Sequence, residues 1–245
     1  MSVPRAFGAD ESGSAVKINP DGLVDVDPSY VETTRTSSGY ELVPFKQRRG
    51  KWGQQVSIGY SSYIPSYYAS EFVAYDYKTA YGDQADLPLI EAQYTFKRNF
   101  SFGSVGLEAG AGIFQNSSAL ANSDRTLQLI PVRLGVTVIL DGIFSKPYIA
   151  PYGSVGAYTM IFKETQVGQD NEYGGNTQAA PYYTLGLQLN LDWLDPVASR
   201  QGFEESGIQA TFVYVEARQF LESSAARDRD FSNDIEPNAG IRVEF

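Results

Sequence analysis

From Trp52 to the end of the chain, apolar and polar residues alternate at every second position in runs of strand length. The clearest run sets Tyr183, Leu185, Leu187, Leu189, Leu191 and Trp193 against Thr184, Gly186, Gln188, Asn190 and Asp192. Residues 87–97 oppose Ile90, Ala92, Tyr94 and Phe96 to Glu91, Gln93 and Thr95. Residues 100–115 oppose Val105, Leu107, Ala109, Ala111 and Ile113 to Gly106, Glu108, Gly110 and Gly112. Residues 127–140 oppose Ile130, Val132, Leu134, Val136 and Val138 to Pro131, Arg133, Gly135 and Thr137. A last run, 235–245, opposes Ala239, Ile241, Val243 and Phe245 to Asn238, Gly240, Arg242 and Glu244. The run 52–65 sets Val56, Ile58 and Tyr60 against Gln55, Ser57, Gly59 and Ser61. Run 148–162 mixes aromatics with glycines, and run 207–219 is apolar on both faces in its middle, so neither declares its facing.

These eight runs predict eight strands, and their connections alternate in character. Lys97-Arg98-Asn99 and Asp141-Gly142 read as tight turns. Residues 66–86, 116–126, 163–177 and 222–234 read as long polar loops, and the connection after the sixth run is of middling length with Pro and Gly. Short turns at one end and long loops at the other are the pattern of a membrane-spanning barrel. Residues 1–50 are different: polar, with Asp10-Glu11, Asp25-Val26-Asp27 and a Thr/Ser-rich stretch. The expectation is a polar periplasmic arm over 1–50, extended or partly disordered, whose apolar end near Phe45 can dock, followed by a barrel over 51–245.

Alternation alone does not say which face is wet. A soluble ligand-binding barrel turns its apolar face inward and a membrane barrel turns it outward. Residue size separates the two. The polar face carries many glycines, which weaken a solvent-facing strand but make room inside a narrow barrel. Aromatics near run ends (Trp52, Tyr94, Phe96, Tyr148, Trp193) suit the interfacial girdles of a membrane protein. The predicted fold is therefore all-β: a closed antiparallel up-and-down transmembrane barrel of about eight strands. No apolar run is long enough for a spanning helix, and a spanning strand needs only about 9–11 residues. The segment Met1-Ser2-Val3-Pro4-Arg5 has no apolar core of a leader. An outer-membrane location is expected, with the native signal peptide removed.

The final stretch Asn238–Phe245, with Ile241, Val243 and Phe245 in alternation, resembles the C-terminal assembly signal of bacterial outer-membrane barrels. That resemblance implies recognition by the barrel-assembly machinery. The region 52–245 resembles the small eight-stranded OmpA-type and OmpW-type porin-like barrel domains of Gram-negative bacteria. Residues 1–50 depart from both types.

Composition narrows the chemistry. The chain has no His and no Cys, which removes Ser-His-Asp and Cys-His catalysis, thiolate metal sites and disulfides. A formal net charge of -10 argues against nucleic-acid binding. With the apolar face outward, Glu91, Glu108 and Arg133 point into the lumen on adjacent strands, where isolated charges are costly and pairing is expected. Arg242 and Glu244 are expected as a second charged layer at the inner mouth. Glu216 and Arg218 are expected as a third near the outer end, if they face inward. Asp170, Asn171 and Glu172, or Asp228, Asp230 and Asp234, supply hard oxygen ligands for Ca²⁺, but neither stretch has EF-hand spacing, and solvated loops are the expectation. No metal and no cofactor is expected. The basic cluster Lys46, Arg48, Arg49 and Lys51 reads either as a contact for phospholipid headgroups or as a solvated linker. The function expected is structural: an anchor or scaffold barrel, not an enzyme, with an ion-paired lumen. It would meet outer-membrane lipid and lipopolysaccharide, and a periplasmic or membrane partner through residues 1–50. A narrow porin-like channel and a soluble ligand-binding barrel are the alternatives.

Overall fold

A computed structural model describes residues 44–82, 85–118, 124–144, 147–168 and 172–245. The segment expected as an arm therefore enters only from Pro44 onward.

A helical turn α1 (Phe45–Arg48) precedes β1 (Trp52–Ser61), and a short helix α2 (Tyr77–Tyr81) follows it. Then come β2 (Leu87–Asn99), β3 (Ser104–Ser117), β4 (Arg125–Ile139), β5 (Ile149–Gln166) and β6 (Glu172–Asn176). The chain finishes with β7 (Ala180–Asn190), helix α3 (Pro196–Ser206), β8 (Ala210–Phe220) and β9 (Glu236–Glu244). All pairings are antiparallel. β9 pairs with β1 and β4 with β5, so the eight strands other than β6 close into a ring. Closure removes the exposed edges of an open sheet. The end bearing the start of β1 and the close of β9 is the inner end; the loops after β1, β3, β5 and β8 form the outer end.

The apolar face is outward. Leu107 and Leu134 are each 66% exposed, whereas Glu108 and Arg133 beside them are buried. From Ile130 of β4 to Leu140, the residue just after it, the outward row covers roughly 33 Å of extended chain at ~3.3 Å per residue. At the usual barrel tilt this rises about 25 Å, the height of the lipid-facing band of a membrane barrel. A soluble barrel places these residues inside. The protein is thus a small closed β-barrel of the outer-membrane kind.

Four local expectations need correction. Lys97-Arg98-Asn99 is not a turn: β2 runs through Asn99, and alternation carries Lys97 inward to complete burial. The polar stretch 163–177 is largely strand, because β5 continues to Gln166 and folds back as β6 in a hairpin beyond the rim. The middling turn after the sixth run holds α3. Its Asp195 side chain caps the Ala198 amide at 3.0 Å, Pro196 opens its first turn, and Gly207 closes it in the left-handed region (φ 70). The Tyr-rich stretch after β1 is folded: α2, capped by Asp76, packs Tyr77 and Tyr81 into the barrel's outer end.

Candidate functional site

The candidate site is the lumen, filled by side chains in three levels. At the inner level Lys97 Nζ donates to Asp141 Oδ2 at 3.1 Å and to Glu244 Oε2 at 2.8 Å. Gln55 Nε2 reaches the same Glu244 oxygen at 3.0 Å. Three of the four basic residues before β1, Lys46, Arg48 and Arg49, reach this level, whereas Lys51 is exposed. Arg49 Nη1 lies 2.9 Å from Asp141 Oδ1, Arg48 Nη2 lies 2.5 Å from Asp192 Oδ2, and Lys46 Nζ donates to the Gly142 carbonyl at 2.9 Å. Carboxylates crowded at the inner mouth draw them in. Phe45 goes with them, buried edge-on against Phe212 at 6.0 Å.

In the middle level Arg133 is held by Glu91, by Glu108 Oε1 at 2.8 Å, and by Gln93 Oε1 at 2.7 Å. Tyr182 Oη donates to the same Glu108 oxygen at 2.7 Å. Arg218 joins this group instead of forming an outer layer, because its guanidinium donates to both Glu91 and Glu216. Glu216 also accepts from Tyr152 Oη at 2.5 Å and Asn238 Nδ2 at 2.9 Å. Arg242 does not pair with Glu244. It donates to Gln188 Oε1 at 3.0 Å, with its guanidinium between the rings of Tyr152 (4.5 Å) and Tyr214 (4.7 Å). Three guanidiniums thus face three carboxylates, Glu91, Glu108 and Glu216, so the level is formally neutral, as buried charges favour. Glycines supply the space. A Cβ on Gly110 would lie 2.7 Å from the Glu91 carboxylate, and one on Gly59 2.0 Å from Tyr214 Oη.

The outer level is aromatic. Tyr63 meets Phe114 and Phe220 edge-on at 5.5 and 5.7 Å, and Tyr68 stacks on Phe231 at 4.8 Å. Within it lies a fully buried carboxylate the sequence reading missed, Glu164 of β5. It accepts hydrogen bonds from Tyr68 Oη at 2.8 Å, Ser70 Oγ at 2.6 Å, the Glu71 amide at 2.9 Å, and Tyr81 Oη. This carboxylate fastens the loop after β1 to the rim. Burial first, and then the neighbouring Glu164 charge, push the Tyr68 phenol far above its ordinary range. Burial and its hydrogen bond to Glu164 do the same for Tyr81.

The remaining predicted residues fall outside the lumen. Trp52, Phe96, Tyr148 and Trp193 are exposed near the inner rim. There Trp52 stacks on Phe96 at 5.1 Å, and Tyr148 meets Trp193 edge-on at 6.5 Å. Tyr94 also faces outward but lies deeper in the belt, opposite Val56 and Ala109. Ile241 and Phe245 are exposed and Val243 is half-buried. The Phe245 amide donates to the Gln54 carbonyl at 2.8 Å, so pairing with β1 continues to the last residue. Asp228 and Asp230 accept backbone amides of Gln178 (2.6 Å) and Ser232 (2.9 Å). Among the described residues no group of three acidic side chains is placed to hold a metal; Asp170 and Asn171 lie outside them.

No family model and no curated protein matches the chain. Among solved structures it is similar to Ail, the attachment invasion locus protein of Yersinia pestis. The TM-score is 0.43 and the identity 13%, over 80% of this chain and 99% of that one. It is similar also to Neisserial surface protein A, with a TM-score of 0.36 and 12% identity, over 80% of this chain and 98% of that one.

Proposed function

We propose that this protein is a non-conducting outer-membrane barrel with a structural role: a membrane anchor that presents a rigid outer cap and holds the segment before β1 across its inner mouth. The observation that carries this is the stacking of an ion-paired inner level, a neutral guanidinium–carboxylate level and an aromatic plug along one narrow lumen. An eight-stranded barrel is just wide enough for side chains to fill. The lumen carboxylates Glu91, Glu108, Glu216 and Glu244 are engaged by Arg, Lys, Tyr or amide donors, which leaves none of them free as a general base. The reading therefore gives the lumen no catalytic role. Contacts with lipid and lipopolysaccharide, capture by the assembly machinery through Ile241, Val243 and Phe245, and a periplasmic partner for the N-terminal segment belong to the same proposal.

Planar-bilayer recording on the refolded full chain tests it. The expected result is a quiet bilayer at protein loads where a known porin conducts. Steady, ohmic single-channel steps would overturn the proposal in favour of a narrow porin-like channel.

A further inference from the structure

The closed ring has no strand edge, but β6 lies outside the ring and has one. β6 pairs with β5 along one side, and among the described residues nothing pairs with its other side. The Thr177 amide donates to the Met160 carbonyl at 2.9 Å, which fixes the phase of the β5–β6 ladder. Counting back by twos, Gly175 and Tyr173 turn their backbone groups toward β5, whereas Asn176, Gly174 and Glu172 turn theirs away. The N–H and C=O groups of these last three residues stand in a row along the outer side of the hairpin. Every residue of the strand is exposed. β6 carries no Lys, no Pro and no bulge, the devices that commonly blunt an edge.

We propose that the free edge of β6 is a docking site for an extended, basic segment of another protein, which adds to it as a further strand. A row of alternating donors and acceptors at strand spacing is matched by another polypeptide backbone, not by a lipid or a sugar. Charge selects the kind of polypeptide. Among the described residues of 62–86, 118–126, 163–178 and 221–236, which make up the outer end, Asp and Glu outnumber Lys and Arg by eleven to five. Glu172 is itself held by Lys163 at 2.7 Å, so the attraction is the field of the whole outer end and not one ion pair. Beside Gly174 an open groove of about 560 Å³ runs over Ile161 and Phe162, room for a bulky apolar side chain of the incoming strand. A second copy does not fit this edge. An antiparallel pair has its two-fold axis normal to the sheet, so a second β6 would bring its barrel in upside down, unlike any neighbour in the same membrane. The proposal goes beyond the anchor reading and does not depend on it, since peptide capture and conductance are measured separately.

The test uses the full-length protein, its Gly174→Pro and Gly174→Ala variants, and a short fluorescein-labelled peptide that alternates Arg or Lys with Val. Pro at this position deletes an N–H that faces away from β5, so the β5–β6 ladder is kept. Ala adds a Cβ and keeps the N–H. All three proteins are checked for folding by heat-modifiable gel mobility, then titrated with the peptide in detergent micelles and read by fluorescence anisotropy. Wild type and Gly174→Ala should bind it saturably. Gly174→Pro should bind it about tenfold more weakly, the worth of one lost backbone hydrogen bond. The same peptide with every amide N-methylated keeps its charge and loses its ladder, and wild type should bind it at least ~tenfold more weakly. A counterpart that alternates Glu with Val should not bind. Absence of binding by the basic peptide would overturn the proposal. Equal binding by all three proteins, or of plain and N-methylated peptide, would overturn it in favour of charge attraction alone. So would a wild-type dimer, detected by native mass spectrometry, that only Gly174→Pro loses, since the occupant would then be a second copy.

Discussion

Arg133 is the group on which the middle of the barrel depends, and removing it has a calculable consequence. Arg133→Met keeps the stem and deletes the guanidinium. Glu91 then retains Arg218, but Glu108 retains only Gln93 Nε2 at 2.9 Å and Tyr182 Oη at 2.7 Å, with no cation beside it. Stripping one partner from a buried ion pair costs about 3–5 kcal/mol. Glu108→Gln alone leaves Arg133 with Glu91 and Gln93 and removes one charge-assisted hydrogen bond, about 1.5–3 kcal/mol. In the double variant the stranded charge is gone, so its loss should fall short of the sum by about 0.5–3 kcal/mol, the range for residues in direct contact. Urea unfolding in detergent, followed by gel mobility and tryptophan fluorescence, measures all three. Additivity within about 0.5 kcal/mol would refute the contact and the argument built on it.

Lys97→Met strands Asp141 and Glu244 at the inner level. It should lower unfolding stability by about 3–5 kcal/mol in the same assay, with Asp141 still partly compensated by Arg49. The outer cap should be sensitive to alkali. The raised phenols of Tyr68 and Tyr81 keep their protons in the folded state. The stability they contribute is thus complete below the ordinary tyrosine value near ~10 and is lost as pH climbs above it. Phenolate absorbance should show these two titrating only as the cap opens, and Tyr68→Phe/Tyr81→Phe should flatten stability over that range.

Five strands were legible in the sequence because they keep bulky apolar residues outside and small or polar ones inside: β2, β3, β4, β7 and β9. Of the three whose facing stayed open, β1, β5 and β8, the last two break that rule for a physical reason. Their lumen-facing residues include Tyr152, Tyr158, Phe212, Tyr214 and Phe220, which plug the barrel, so both faces of each strand read as apolar. The same ambiguity hid the cap. Tyr63, Tyr68, Tyr77 and Tyr81 look like polar loop residues until their rings are buried and their hydroxyls have partners. Lys97 was readable in principle: it continues the inward series Glu91, Gln93, Thr95, but Lys-Arg-Asn next to it resembles a turn. Glu164 gave no comparable signal, since its donors come from a loop nearly a hundred residues earlier in the chain. The signals for α3 were present in Asp195, Pro196 and Gly207, within a stretch too polar to suggest a helix by periodicity.

The central claim is a barrel turned apolar side out with a dry lumen. The natural absence of cysteine makes a single-cysteine nitroxide scan along β4 its most direct test. In vesicles, labels at Leu134, Val136 and Val138 should be relaxed by oxygen dissolved in lipid. Labels at Thr137 and Ile139 should be shielded both from oxygen and from a water-soluble nickel complex. Inverted phase would mean a soluble barrel, and nickel access at the inward positions would mean an open pore; either result contradicts the account.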